Sequence, residues 1–189
     1  MTTRWWLVRH APVMGDMNKI IGQSDPDADV RNLSAIPRLP KSPGAVVVSS
    51  LKRTRQTALA LGYRPTHTEP ELAEQNFGDW QGKSWDDITG PEGRAFWTDF
   101  AKSVPPGGES FVQQITRVTL ALDRLSDSIG HGDILAVLHG GTIRACLAHA
   151  LSLDPMKVSA FVIENLSLTL LERTPYGWRI DCVNERLHS

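Results

Sequence analysis

Two histidines stand at equivalent places in this chain. His10 follows the apolar run Trp5-Trp6-Leu7-Val8 with Arg9 between them, and His139 directly follows the run Ile134 to Leu138. Both runs read as buried strands. In open α/β sheets ligands gather beyond the carboxyl ends of the strands, so one crevice would hold both imidazoles. Arg53 opens the helix expected after another apolar run, Ala45 to Val48, near the same edge. Gly140-Gly141 leaves backbone N–H groups unobstructed at a helix start, which favours an anion. Arginine forks match phosphate oxygens and are not metal ligands. This set points to a phosphate pocket rather than a metal site.

The elements that must position these groups follow from patterning. Lys52 to Leu61 reads as a helix capped by Ser49 or Ser50 and stopped at Gly62. Residues 15–43 are polar, with Gly and Pro throughout, and read as a long loop. Trp85 to Lys102 holds two short helical stretches divided near Gly90-Pro91. Phe111, Ile115, Val118, Leu122, Leu125 and Ile129 form one apolar stripe of a long helix, with Ser110 and Gln113 placed for a capping box. A helix is expected from Gly140 through Ala150. Ser167 to Glu172 and Trp178 to Val183 read as strands joined by a turn at Pro175-Tyr176-Gly177, the first at an exposed sheet edge that could pair with a second copy. Strands alternating with helices predict an α/β fold, three-layer α/β/α with a mostly parallel central sheet. One domain is expected over residues 1–189, with residues 77–110 as a lid-like insertion.

Composition narrows the classes. The chain has 189 residues, with Lys+Arg 20 against Asp+Glu 21 and a formal net charge of −1. That balance leaves no electrostatic footprint for nucleic acid or an anionic membrane. Cys146 and Cys182 lie in apolar stretches without metal-ligand spacing and read as small core residues. No signal peptide or membrane-length apolar run is visible, so a cytoplasmic protein is expected. His67, His149 and His188 show no partner pattern, and His131-Gly132-Asp133 reads as a solvated turn before a strand.

Five segments resemble, in order, the motifs of the histidine phosphatase superfamily, which includes cofactor-dependent phosphoglycerate mutases and α-ribazole phosphatases. They are Leu7-Val8-Arg9-His10, Ser49 to Ala58, Glu71 to Gly82, Pro106-Gly107-Gly108-Glu109-Ser110, and Val137 to Arg144. The resemblance implies a phosphoglycerate mutase-like fold and a metal-independent phosphomonoester hydrolase without cofactor. It makes His10 a nucleophile forming a phosphohistidine, Glu74 the general acid and base, and His139 a catalytic stabiliser. Arg9, Arg53 and Gly140 would bind phosphate.

Two departures bear on the pocket. Ala11 replaces the family's usual glycine, so its backbone must keep an allowed geometry. Val13 stands where a hydroxyl is common, and Asn18 and Ser24 are the nearest remaining candidates for phosphate contact. Two alternatives share the residues: a mutase, which must rebind a phosphorylated product, and a non-catalytic phosphate-binding module. Family mutases carry paired arginines between the acid and the second histidine. Here that segment instead holds Phe77, Trp80, Trp85, Phe96, Trp97 and Phe100, which either pack the insertion or wall the crevice. An apolar wall would suit a small phosphorylated metabolite with a flat body, such as α-ribazole 5′-phosphate.

Overall fold

The structure is a computed structural model describing residues 2–15, 18–33 and 36–187; His188 lies outside them. Its strands are β1 (Thr3–Arg9), β2 (Ala45–Val48), β3 (His67–Thr68), β4 (Gly132–Leu138), β5 (Ser167–Thr174) and β6 (Gly177–Arg186). Its helices are α1 (Lys52–Ala60), α2 (Gly90–Thr98), α3 (Phe111–Ile129), α4 (Gly140–Leu151) and α5 (Pro155–Val158). They form one six-stranded sheet in the order β3-β2-β4-β1-β5-β6. The pairings β2–β3, β2–β4 and β1–β4 are parallel, whereas β5 runs antiparallel to both β1 and β6. Five strands therefore share one direction and only β5 reverses.

Because side chains alternate across a strand, each central strand serves two cores. Trp5, Leu7, Val47, Ile134, Ala136 and Leu138 face α3 and α4. Trp6, Val8, Val48, Leu135 and Val137 face the other way, against Ala58 and Leu61 of the α1 region and Ile36 and Leu39 of the long loop. This is the three-layer arrangement that unbroken apolar runs imply. Cys146 and Cys182 are free and pack in these layers, and burial pushes the Cys146 thiol up to about 12. Among the described residues no helix is long and apolar enough to cross a membrane.

The long helix α3 begins where expected. Ser110 accepts from the Gln113 N–H while the Gln113 side chain accepts from the Ser110 N–H, a reciprocal cap worth about 1 kcal/mol. Two expectations fail. Leu51, not a serine, precedes α1 without a side-chain cap, because the Ser49 hydroxyl is turned toward His139. The strand from Ser167 is interior rather than an edge, since β6 returns through its hairpin and covers it. The sheet edges are β3 and β6.

Residues 77–110 fold into short 3₁₀ turns at Gly78–Trp80 and Trp85–Asp87, followed by α2. Trp80, Ile88 and Phe96 bury a small satellite core with Ile20. Reciprocal backbone bonds join Ile20 to Lys83 and Gly82, tying this segment to the loop after β1.

Candidate active site

Register places the two histidines. In the β1–β4 ladder Arg9 pairs with Leu138, and in the β2–β4 ladder Val48 pairs with Val137. The residues leaving these strands, His10, Ser49 and His139, therefore emerge side by side. The His10 N–H donates to the Leu138 carbonyl, and the two imidazoles meet edge-on with centroids 5.1 Å apart.

His10 is buried and its protonation is determined by its neighbours. Nδ1 lies 2.6 Å from the Ala11 carbonyl, an acceptor only, so Nδ1 carries the proton. Nε2 keeps its lone pair and accepts from Arg53 Nε at 3.3 Å. Burial, followed by the Arg53 charge, lowers the His10 pKa to about 3, so the ring is neutral near pH 7. Asn165 Nδ2 fixes the His10 carbonyl from the β5 side at 2.8 Å. Ala11 is buried without a positive φ, and its N–H donates to Thr57 Oγ1.

Arg53 reaches back from the first turn of α1. Its Nη atoms donate to the carbonyls of Ser24 and Gly22 at 2.8 and 2.7 Å. Arg9 Nη1 donates to the Ile163 carbonyl at 2.6 Å, while its Nε is buried without a hydrogen-bond partner among the described residues. Neutral carbonyls orient both guanidiniums without cancelling their charge, which leaves them available to an anion. His139 is fully buried, with Nε2 2.8 Å from Ser49 Oγ and Nδ1 without a hydrogen-bond partner among the described residues. Burial and then the Arg53 charge push its pKa well below the usual imidazole range.

Glu74 approaches from the opposite wall. Its Oε1 accepts from the Gln75 N–H at 3.0 Å and from Gln114 Nε2 at 3.1 Å, and its Oε2 accepts from the Gly141 N–H at 3.1 Å. Burial alone would raise this carboxyl's pKa, but the three donors and the Arg53 charge hold it below the ordinary value. Its loop is held from α3. Arg117 pairs with Glu109 at 2.6 Å and also donates to the carbonyls of Glu71, Ala73 and Glu74.

Two adjoining cavities meet at Glu74. One, about 310 Å³, is polar and is lined by Arg9, His10, Val13, Arg53, Glu74 and Asn165, among others. The second, about 530 Å³, is walled by Phe77, Trp85, Phe96, Trp97, Phe100 and Phe111. Phe77, Trp85, Glu74 and Arg144 border both. Of the six aromatic residues between Phe77 and Phe100, only Trp80 serves packing alone. Arg9, His10, Arg53 and Glu74 line the polar well, whereas Asn18, Ser24, His139 and Gly140 do not, the last two being buried behind it. Ser24 Oγ donates to the Ile21 carbonyl, and its contribution is the carbonyl that holds Arg53. Gly140 is buried at the first position of α4, where an added Cβ would lie 3.5 Å from Arg9 Nε and 3.6 Å from Arg144 Nη1.

The chain matches the histidine phosphatase superfamily (branch 1) over residues 5–186. It belongs to that superfamily. It is 34% identical over 125 residues to the adenosylcobalamin/α-ribazole phosphatase of Salmonella typhimurium, a match covering 63% of this chain and 62% of that enzyme. It is 29% identical over 197 residues to a metal-independent phosphoserine phosphatase of Arabidopsis thaliana, covering 96% and 81%. The α-ribazole phosphatase of Shigella flexneri superposes with a TM-score of 0.84 at 23% identity, covering 97% of this chain and 96% of that one. The shared architecture is the phosphoglycerate mutase-like α/β fold.

Three further residues at the site have weaker signals in the sequence. Arg144 lies one turn after Gly140 and so shares its helix face, a spacing that could have drawn attention to it. Gln114 is a fully buried amide on the mainly apolar buried face of α3, which is a recognisable signal. Ser49 carried no distinguishing pattern, because its partner His139 is 90 residues away. Of the remaining histidines, His149 meets Asp123 and Trp178, and His67 meets Thr66. Gly132 and Asp133, expected in a turn, already belong to β4.

Proposed function

We propose that this protein hydrolyses phosphomonoesters through a phosphohistidine on His10 Nε2. The observation that carries this reading is the Ala11 carbonyl on Nδ1, which leaves Nε2 with a lone pair beside Arg53. In the first step Nε2 attacks phosphorus and the P–O bond to the leaving group breaks, with the leaving oxygen taking a proton from Glu74. In the second step water attacks phosphorus, the P–N bond breaks, and Glu74 recovers a proton from the water. Arg9, Arg53, His139 and the start of α4 at Gly140 stabilise the phosphoryl oxygens. Glu74 is held ionised without substrate, and an incoming phosphate raises its proton affinity by like-charge repulsion.

The aromatic cavity beyond Glu74 lies on the leaving-group side. It favours a small phosphorylated metabolite with a flat or apolar body, of which α-ribazole 5′-phosphate is one. The segment over residues 77–110 roofs that cavity. Arg117, a cation of the segment where mutases carry their paired arginines, is committed to Glu109 and to loop carbonyls, which supports hydrolysis over a mutase reaction. The test is turnover of p-nitrophenyl phosphate with and without EDTA, and with His10→Ala. Turnover insensitive to EDTA and lost in His10→Ala is expected. Turnover that survives His10→Ala would overturn the nucleophile. A panel preferring small acidic phosphates over aromatic ones would reject the substrate class.

A further inference from the structure

Arg144 is placed differently from the two arginines that flank His10. Arg9 and Arg53 line the polar well only, whereas Arg144 lines the well and the aromatic cavity as well. Its Nε donates to the Phe161 carbonyl at 2.9 Å, which anchors the side chain from the stretch before β5. Among the described residues no carboxylate pairs with it within 4 Å, and its two Nη groups make no hydrogen bond. The chamber is walled mainly by aromatic rings, with Glu74, Gln75 and Ser159 as its other polar lining, and the Glu74 charge acts on Arg144 without a hydrogen bond to it. A partly desolvated guanidinium whose Nη groups are not hydrogen-bonded gains most from an oxygen on whatever fills the chamber.

We propose that Arg144 is a specificity-determining residue that binds an oxygen acceptor carried by the leaving group, a carboxylate most strongly, while the aromatic walls hold the ring. This rests on the hydrolytic reading above and adds a polar requirement to its apolar body. Placement at the seam of the two cavities puts the acceptor close to the ester oxygen that Glu74 serves. Lysine would keep the charge but not the fork, and so would recover only part of the discrimination.

The experiment compares kcat/KM for phenyl phosphate and 3-carboxyphenyl phosphate in the wild type, Arg144→Met and Arg144→Lys. Turnover of both esters is first shown to require His10, so failure of the hydrolytic reading would appear there and separately. The expected result is a carboxyphenyl-to-phenyl ratio about tenfold lower in Arg144→Met, mainly through KM, with Arg144→Lys intermediate. A ratio unchanged in Arg144→Met, whether both rates fall or neither does, overturns the proposal. Should Arg144→Met fail to fold, an unchanged ratio in Arg144→Lys overturns it equally.

Discussion

The Gly141 N–H donates to Glu74 Oε2 at 3.1 Å, and a Cβ on Gly141 would lie 2.2 Å from the other carboxylate oxygen. Glycine is needed here for close approach rather than for backbone freedom, because Gly141 has no positive φ. Gly141→Ala should therefore displace the carboxylate while leaving α4 intact. Steady-state kinetics should show kcat/KM lower by about a hundredfold, with little change in melting temperature. Retention of full activity would mean that Glu74 does not have to sit where it does.

Gln114 offers a test of the same carboxylate by pH. Its Nε2 donates to Glu74 Oε1, a bond that favours the ionised form. Gln114→Leu removes that donor and should raise the Glu74 pKa. If Glu74 supplies the proton to the leaving group, the alkaline limb of the kcat profile moves to higher pH. A limb that stays in place would separate Glu74 from that step.

Burial of neutral His10 predicts an acid-dependent stability. The unfolded ring binds a proton near pH 6.5, while the folded ring resists protonation down to about 3. Stability from this source is complete above pH 6.5 and is lost as pH falls from there toward 3. His139 moves in the same direction, so the wild type loses both contributions and His10→Asn only one. Melting temperatures between pH 7 and 4 should fall less steeply in His10→Asn. Parallel curves would refute the assignment of the neutral ring.

Trp97 separates the two roles of the aromatic segment. It lines the larger cavity but is 58% exposed, so its removal should cost little stability. Trp97→Ala should raise KM for 1-naphthyl phosphate by about fivefold to tenfold, from lost apolar contact. KM for a small aliphatic phosphate should change by less than twofold. Equal changes for both would indicate that the residue acts on the fold instead.

Much of the site was legible because it is built from local segments. Apolar runs of four to five residues ending in Arg9-His10 and in His139-Gly140 imply strands whose carboxyl ends carry the chemistry. The α3 cap was equally visible, since both of its halves lie within four residues. The Ser49 role was not, because a serine before a helix has the same sequence signature whether it caps that helix or turns toward an imidazole from another strand. The place of β5 was hidden for a similar reason. Its residues specify a strand, but interior position depends on β6 arriving beside it.

By itself the sequence determined the residue types, the strand and helix pattern, and the family to which His10, Arg53, Glu74 and His139 point. Tertiary structure decided which nitrogen of His10 holds a lone pair, which groups grip Glu74, and that Arg144 borders both cavities. Such facts depend on distances between segments tens of residues apart. Period and propensity encode only how each segment is shaped, so these relations exist only after the sheet register has brought the segments together.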